Sequence, residues 1–314
     1  MRAWRIRAYG GPEVMALEET PVPRPGPGQL LVRVRAASVN PIDWKMRRGL
    51  LAGVLPLAFP RTLGRDCAGE VAALGEGVTE FAPGTMVAGV ADPRTDGTHA
   101  EFALLPAAQA APVPAGLDPI AAASLCVAGL SAYIALAEVA QVGAGQRVLV
   151  HAGAGGVGSL AIQIGRHLGA EVLATASAAN REYCIGLGAA RVIDYRREDF
   201  VAAAAPCDVV LDTLGGETHV RSLQVLRPGG LLVALNTAPI PAGPRREDVR
   251  VVMAQVQPTR ARLARIFQWA AAGVLRAQVG RTFAFEDAPQ AHGASEAGHA
   301  RGKLVITVPG AGWR

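Results

Sequence analysis

The sequence predicts an α/β protein in which a doubly wound parallel-sheet domain is inserted in a β-barrel-like domain. Three observations predict it. The first hundred residues read as short strands broken by Pro/Gly-rich turns. From residue 147 strands and helices alternate, opening with a glycine-rich turn that follows a strand and starts a helix. The final segment, residues 303–308, is strand-like again and is expected to return to the first domain.

Each element has its own signal. Residues 30–35 alternate as a strand after the turn that runs from Pro21 to Gly28, and residues 70–74 and 86–90 are further short strands. Asp118 before Pro119 is a helix N-cap followed by a first-turn proline, and residues 121–141 continue apolar at helical spacing. Strands are then expected at 147–151, 171–175, 191–194, 209–212 and 230–235. The helices between them are expected at 157–168, 180–187 and 220–226. A strand-like run at 249–256 suits a sheet edge that pairs between subunits, and Leu263, Ile266, Phe267 and Ala270 mark one face of a helix over 259–273.

Composition narrows the class. The 314 residues are 50% hydrophobic and 18% charged, which fits two folded cores rather than a disordered chain. No apolar run long enough for a membrane helix is expected, and the N-terminus shows no signal-peptide pattern, so the cytoplasm is the expected location. The net charge of +5 is spread along the chain without a dense Arg/Lys run, which argues against nucleic acid and leaves an anionic cofactor or substrate as the beneficiary. Cys67, Cys126, Cys184 and Cys207 are isolated from one another and from any histidine at metal-ligand spacing, so free buried thiols are expected.

The glycine turn carries the chemistry. Gly153, Ala154, Gly155, Gly156, Val157 and Gly158 form a G-x-G-x-x-G pattern in strand–turn–helix context, the Rossmann signature for a dinucleotide. Gly153 would make the sharp turn, Gly155 would let backbone approach the pyrophosphate, and Gly158 would let the helix pack close. A sheet of this kind that binds NAD usually places a carboxylate at the end of its second strand. Here Ser177 stands there instead and Arg181 follows within one helical turn, which suits the 2′-phosphate of NADPH. Arg181 as a solvated helix residue and Tyr195 as a packing residue, rather than an adenine contact, are the plain alternatives. The domains expected are 1–117 for the first part of a substrate-binding and catalytic domain and 118–258 for the dinucleotide-binding domain. A return segment, 259–314, completes the sheet edge and the catalytic domain.

Seven segments, the glycine loop among them, together resemble a family. They include Asn40-Pro41-Ile42-Asp43-Trp44-Lys45, Leu63-Gly64-Arg65-Asp66, Gly129-Leu130-Ser131-Ala132-Tyr133, Asp212-Thr213-Leu214-Gly215-Gly216, Arg227-Pro228-Gly229-Gly230 and Arg301-Gly302-Lys303-Leu304-Val305. In this order they resemble the zinc-independent, quinone oxidoreductase-like medium-chain dehydrogenases/reductases. The resemblance implies a GroES-like catalytic domain around a Rossmann domain, NADPH as cofactor, no zinc, and a homodimer. Zinc-dependent relatives carry a Cys at the position of Asn40 and Gly-His-Glu at Gly64-Arg65-Asp66; amide and guanidinium cannot replace those ligands.

The resemblance further implies a quinone or an activated, α,β-unsaturated carbonyl compound as the hydride acceptor. Asn40 is then the candidate donor to the developing oxyanion, Lys45 a candidate proton donor, and Asp43 either its orienter or a helix cap. An ion pair between Arg65 and Asp66 is expected in place of the lost zinc site. Ser131, Asn236 and Lys303 are the remaining candidate cofactor contacts. Two competing functions stay open: a dedicated enoyl reductase of a biosynthetic, polyketide-like pathway, and a non-catalytic NADPH- or RNA-binding protein.

Overall fold

The structure, a computed structural model, describes residues 1–235, 240–241, 243, 246–298 and 300–309. The chain divides into two compact units, one of Met1–Val127, Pro258–Ala272 and Ala277–Arg314, the other of Ala128–Gln257 and Gly273–Arg276.

The first unit begins with β1 (Arg2–Ile6), β2 (Met15–Glu19) and β3 (Gln29–Val39), followed by helix α1 (Pro41–Arg47). Strands β4 (Arg61–Thr62), β5 (Asp66–Leu74), β6 (Met86–Val90), β7 (Phe102–Pro106) and β8 (Ala110–Pro112) complete its N-terminal part. In β3 the alternation is physical: Val32 and Val34 are buried while Arg33 and Arg35 are partly exposed, as a period of two dictates. This strand is longer than the sequence pattern suggested, because Ala36 to Val39 are buried and lose the alternation.

Helix α2 (Pro119–Tyr133) is capped by Asp118, whose Oδ1 accepts the Ala121 N–H at 2.9 Å. It ends earlier than expected, passing into a wider π-type segment over Ile134–Val139. The boundary between the units falls inside α2, after Val127, where residue 118 was expected; Val127 is anchored by its N–H to Asp66 at 2.9 Å. The combined segment Pro119–Val139 is also long and apolar enough to cross a membrane by length and composition, contrary to expectation, although most of it is buried inside the protein. Apolar residues on all sides suit a helix enclosed by a core.

The second unit follows with β9 (Arg147–Val150), α3 (Gly156–His167), β10 (Glu171–Ala176), α4 (Arg181–Leu187), β11 (Arg191–Asp194), α5 (Phe200–Ala204), β12 (Cys207–Asp212), α6 (Gly216–Ser222), β13 (Leu226–Ala234) and β14 (Arg250–Met253). Its described strands are ordered β11-β10-β9-β12-β13-β14 and every neighbouring pair is parallel. The strand order reverses between β9 and β12, and ligands of doubly wound sheets bind at the carboxyl ends of the strands at such a point. Leu149, Leu173, Val210 and Leu232 from four adjacent strands share one core cluster.

The chain returns to the first unit through α7 (Arg260–Ala271), β15 (Val279–Ala284), α8 (Ala288–Glu296) and β16 (Lys303–Thr307). Thr259 caps α7 by accepting the Arg262 N–H at 3.3 Å. Strand β16 pairs antiparallel with β3, so the final strand does rejoin the first domain. The sequence pattern had not marked β15 or α8.

Candidate active site

Three adjacent strands bring the candidate catalytic residues together. Register pairs Leu304 of β16 with Val39 of β3, and Ser38 of β3 with Asp66 of β5. Lys303, Asn40 and Asp66 therefore sit side by side at one end of the sheet, and all three are buried. Lys303 Nζ donates to Asn40 Oδ1 at 2.6 Å and to the Val39 carbonyl at 3.0 Å. Asn40 Nδ2 donates to Asp66 Oδ1 at 2.9 Å, and that oxygen also accepts from Ser38 Oγ at 2.6 Å. Asp66 Oδ2 takes the Val127 N–H.

These contacts fix the Asn40 amide. An ammonium can only donate, so the atom facing Lys303 must be oxygen and the atom facing Asp66 must be nitrogen. Nδ2 carries two N–H groups; one goes to Asp66, and the other has no partner among the described residues. Asn40 is also the N-cap of α1: its backbone N–H goes to Asp43 Oδ2 at 2.7 Å, and the Asp43 N–H returns to the Asn40 carbonyl. Helix α1 itself is pinned by Arg47, which is enclosed and bonds Glu296 of α8 and the Gly10 carbonyl.

Asp43 is fully buried, and its Oδ1 has no hydrogen-bond partner among the described residues. Burial raises its carboxyl pKa to about 7, against the pull of the Asn40 N–H, with Asp66 adding to the rise and Lys303 opposing it. Lys303 is in turn lowered from its ordinary value, chiefly by burial. Lys45 lies elsewhere: it is half-buried with its ammonium 5.8 Å from the Trp44 ring centre, and burial lowers its pKa. The cation beside Asn40 is Lys303, which the sequence had offered only as a cofactor contact.

The expected Arg65–Asp66 ion pair is not formed. Both Asp66 oxygens are committed to Ser38, Asn40 and Val127, and Arg65 makes no ion pair within 4.0 Å among the described residues.

In the second unit the glycine loop is held from β10. Ala152, not Gly153, takes the left-handed turn conformation, with φ 50°. Its N–H is secured by Thr175 Oγ1 at 3.2 Å, and the Gly153 N–H by the Thr175 carbonyl at 2.9 Å. Thr175 also meets His151 Nδ1 at 3.1 Å, and His151 Nε2 meets Ser222 Oγ at 2.8 Å. Ser222 donates to the Thr218 carbonyl, so His151 carries its proton on Nε2 and is neutral, with burial lowering its pKa to about 4. Asp212, at the end of β12, accepts from the Leu214 and Gly215 N–H groups and faces His219 Nδ1 at 2.8 Å.

A β-carbon on Gly158 would lie 2.2 Å from the Ala152 carbonyl oxygen, so this position tolerates only glycine. On Gly155 it would meet only that same oxygen, at 3.3 Å, in the space before the first turn of α3. That cradle, with the unpaired N–H groups of a helix start, fits a dinucleotide pyrophosphate. Ala154, Gly156 and Val157 complete the turn. Ser177 starts the turn after β10 and accepts from Asn180 at 3.3 Å. Arg181 donates to the Val192 carbonyl at 2.8 Å and reaches Glu198 at 3.4 Å, which ties it to β11. Tyr195 is 51% exposed with Arg196 against its ring, and Ser131 is buried in α2. Asn236 lies outside the described residues.

The comparisons with known proteins agree with this architecture. The model of the alcohol dehydrogenase GroES-like domain matches residues 26–115, and that of the zinc-binding dehydrogenases matches residues 187–306. A 2-haloacrylate reductase from a Burkholderia species is 32% identical over 311 residues, covering 91% of this chain and 93% of that protein. The chain belongs to the zinc-independent, quinone oxidoreductase-like medium-chain dehydrogenases/reductases. Another member, a chloroplastic quinone-oxidoreductase homolog of Spinacia oleracea, is 36% identical over 66% of this chain and 64% of its own length. The crystal structure of Escherichia coli quinone oxidoreductase complexed with NADPH superposes with a TM-score of 0.89 at 28% identity, covering 98% of this chain and all of that one.

As in other members of this family, the parallel sheet and its glycine loop are those of an NAD(P)H-dependent oxidoreductase. All four cysteines are free and buried, as expected. Two features were missed from sequence. Asp66 was treated as half of an ion pair, and Thr175 as an ordinary strand residue; neither role has a sequence signal, because both depend on which strands are neighbours.

Proposed function

We propose that the protein is a zinc-free reductase that takes hydride from NADPH and delivers it to a quinone or an α,β-unsaturated carbonyl compound. The observation that carries this reading is the Asn40 amide, fixed by Lys303 and Asp66 with one N–H left to donate. Hydride addition to a conjugated acceptor places negative charge on its oxygen, and a preorganised N–H stabilises that charge. Lys303 and Asp66 position the amide rather than touch the acceptor. Asp43, with a carboxyl pKa of about 7, can hold the proton that the reduced acceptor finally needs.

The site does not suit zinc. The Asn40 amide oxygen is already taken by Lys303, and Arg65 is a cation where a ligand would be needed. NADPH would be held by the turn from Gly153 to Gly158 and, when bound, supplies the hydride. Ser177 and Arg181 support the phosphorylated cofactor: no carboxylate ends β10, and turning the Arg181 guanidinium to a 2′-phosphate gives up only one carbonyl contact and a long contact to Glu198. The names of the Spinacia and Burkholderia relatives support the acceptor class. The exposed Val251, Val252 and Met253 on edge strand β14 support a homodimer, and four free thiols support a reducing, cytoplasmic setting.

The test is cofactor oxidation followed with NADPH and with NADH, using 1,4-benzoquinone and a simple enone. Turnover faster with NADPH, and a kcat about a hundredfold lower in Asn40→Ala, are expected. Equal rates with NADH would overturn the cofactor assignment, and unaltered kcat in Asn40→Ala would overturn the role of the amide.

A further inference from the structure

We propose that Arg65 receives a carboxylate carried by the acceptor, so that α,β-unsaturated acids are preferred over their neutral counterparts; the proposal rests on the reductase reading above. Arg65 Nη1 is closed off from water and has no hydrogen-bond partner among the described residues. The neighbouring carboxylates do not satisfy it. Asp66 is committed at both oxygens, Asp43 gives Oδ2 to the Asn40 N–H, and Asp92 gives Oδ1 to the Arg94 N–H. All three lie close enough to act on Arg65 through their fields, yet none forms an ion pair with it.

A guanidinium stays charged, and withdrawing part of it from water without a partner is costly. The buried Arg47 and Arg61 of this unit each keep one nitrogen unpartnered too, yet Arg47 is bonded to Glu296 and Arg61 donates to the Arg94 carbonyl. Arg65 lacks such closure beside Asn40, the group assigned to the acceptor oxygen. Its planar fork of N–H donors matches a carboxylate in two parallel hydrogen bonds. The other cation of the cluster, Lys303, donates to Asn40 and Val39, whereas the Arg65 side chain makes no hydrogen bond among the described residues.

The matched probes are 2-chloroacrylate and its methyl ester, which differ in charge at the carboxyl group and share the reacting double bond. In Arg65→Gln the acid-to-ester ratio of kcat/KM is expected to fall about ten- to a hundredfold, with Arg65→Lys in between. A binding readout stands apart from turnover: 2-chloropropionate, the saturated product, should raise the Tm of the NADP+-loaded wild type and not that of Arg65→Gln. An unchanged acid-to-ester ratio overturns the proposal. So does a variant that loses both probes equally, which would make Arg65 a general support of the site. A raised KM for NADPH with the ratio intact would assign Arg65 to the cofactor instead. Absence of turnover on every acceptor, with the 2-chloropropionate shift retained in wild type and lost in the variant, would sink the reductase reading and leave the carboxylate site standing.

Discussion

Lys303 and Asn40, 263 positions apart in the chain, share a buried hydrogen bond of 2.6 Å between ammonium and amide oxygen. The bond decides which way the amide faces and joins the last strand of the first unit to the cap of its first helix. Its removal should be felt in stability as well as in turnover.

Lys303→Met keeps most of the side-chain volume and deletes the charge. It leaves the Asn40 oxygen without its donor at a site where both residues are nearly enclosed. A loss of about 1–3 kcal/mol is expected from urea unfolding, the cost of an unsatisfied buried polar group. An unchanged urea midpoint would mean that water or a rearranged amide replaces the lysine at no cost.

Gly158→Ala and Gly155→Ala should separate packing from cofactor binding. The first puts a β-carbon 2.2 Å from the Ala152 carbonyl oxygen, so the turn must move, and both Tm and NADPH affinity should fall. The second meets that oxygen only at 3.3 Å, so Tm should change little while NADPH affinity drops about tenfold through lost backbone approach. Fluorescence titration with NADPH and a thermal melt would read the two effects; equal Tm losses in both variants would remove the distinction.

Acid should weaken the fold through histidines that are buried neutral. His99 and His151 are each lowered by burial from 6.5 to about 4, and His292, 3.0 Å from His99, is lowered well below 6.5, by burial first and then by His99. The unfolded chain therefore binds more protons below 6.5, and stability present above that value is lost as pH falls towards 4. Between pH 7 and pH 5 His99 and His151 each contribute a loss of about 2 kcal/mol, and His292 acts in the same direction. Asp43 acts in the opposite sense: its carboxyl is raised from 3.8 to about 7, so it stabilises at acid pH and gives that up as pH rises through 7. Urea midpoints at the two pH values should fall on acidification, and more steeply in Asp43→Asn. A shallower slope in that variant would contradict the raised carboxyl.

What the chain reveals on inspection depends on how local its cause is. The turn at Gly153 to Gly158, the cap at Asp118 and the strand at Arg191–Asp194 are set by neighbours within a few residues, so composition and spacing carry them. Strand β15 and helix α8 were not legible. In β15 the side chains are mostly exposed and lack an apolar alternation, and α8 buries few residues among small ones.

The candidate site divides in the same way. Asn40 and Asp43 were legible because the helix start that joins them is local, and the positions where a zinc enzyme would carry its ligands are visible as residue types. Which cation serves Asn40 was not. Lys45 is nearer in sequence, yet α1 turns it towards Trp44, while the register of β16 against β3 delivers Lys303. The expected Arg65–Asp66 pair failed for a related reason, since Asp66 is taken by Ser38 of the neighbouring strand, by Asn40 just after it and by the Val127 N–H.

By itself, then, the sequence determined the two-domain α/β architecture, the dinucleotide loop and the replacement of zinc ligands, because each is written in residues close together or in residue identity alone. Only the tertiary structure decided that Lys303 orients Asn40, that Thr175 and His151 brace the loop, and that Arg65 forms no ion pair among the described residues. Those depend on strand order and register, which arise from long-range pairing and the enclosure it brings.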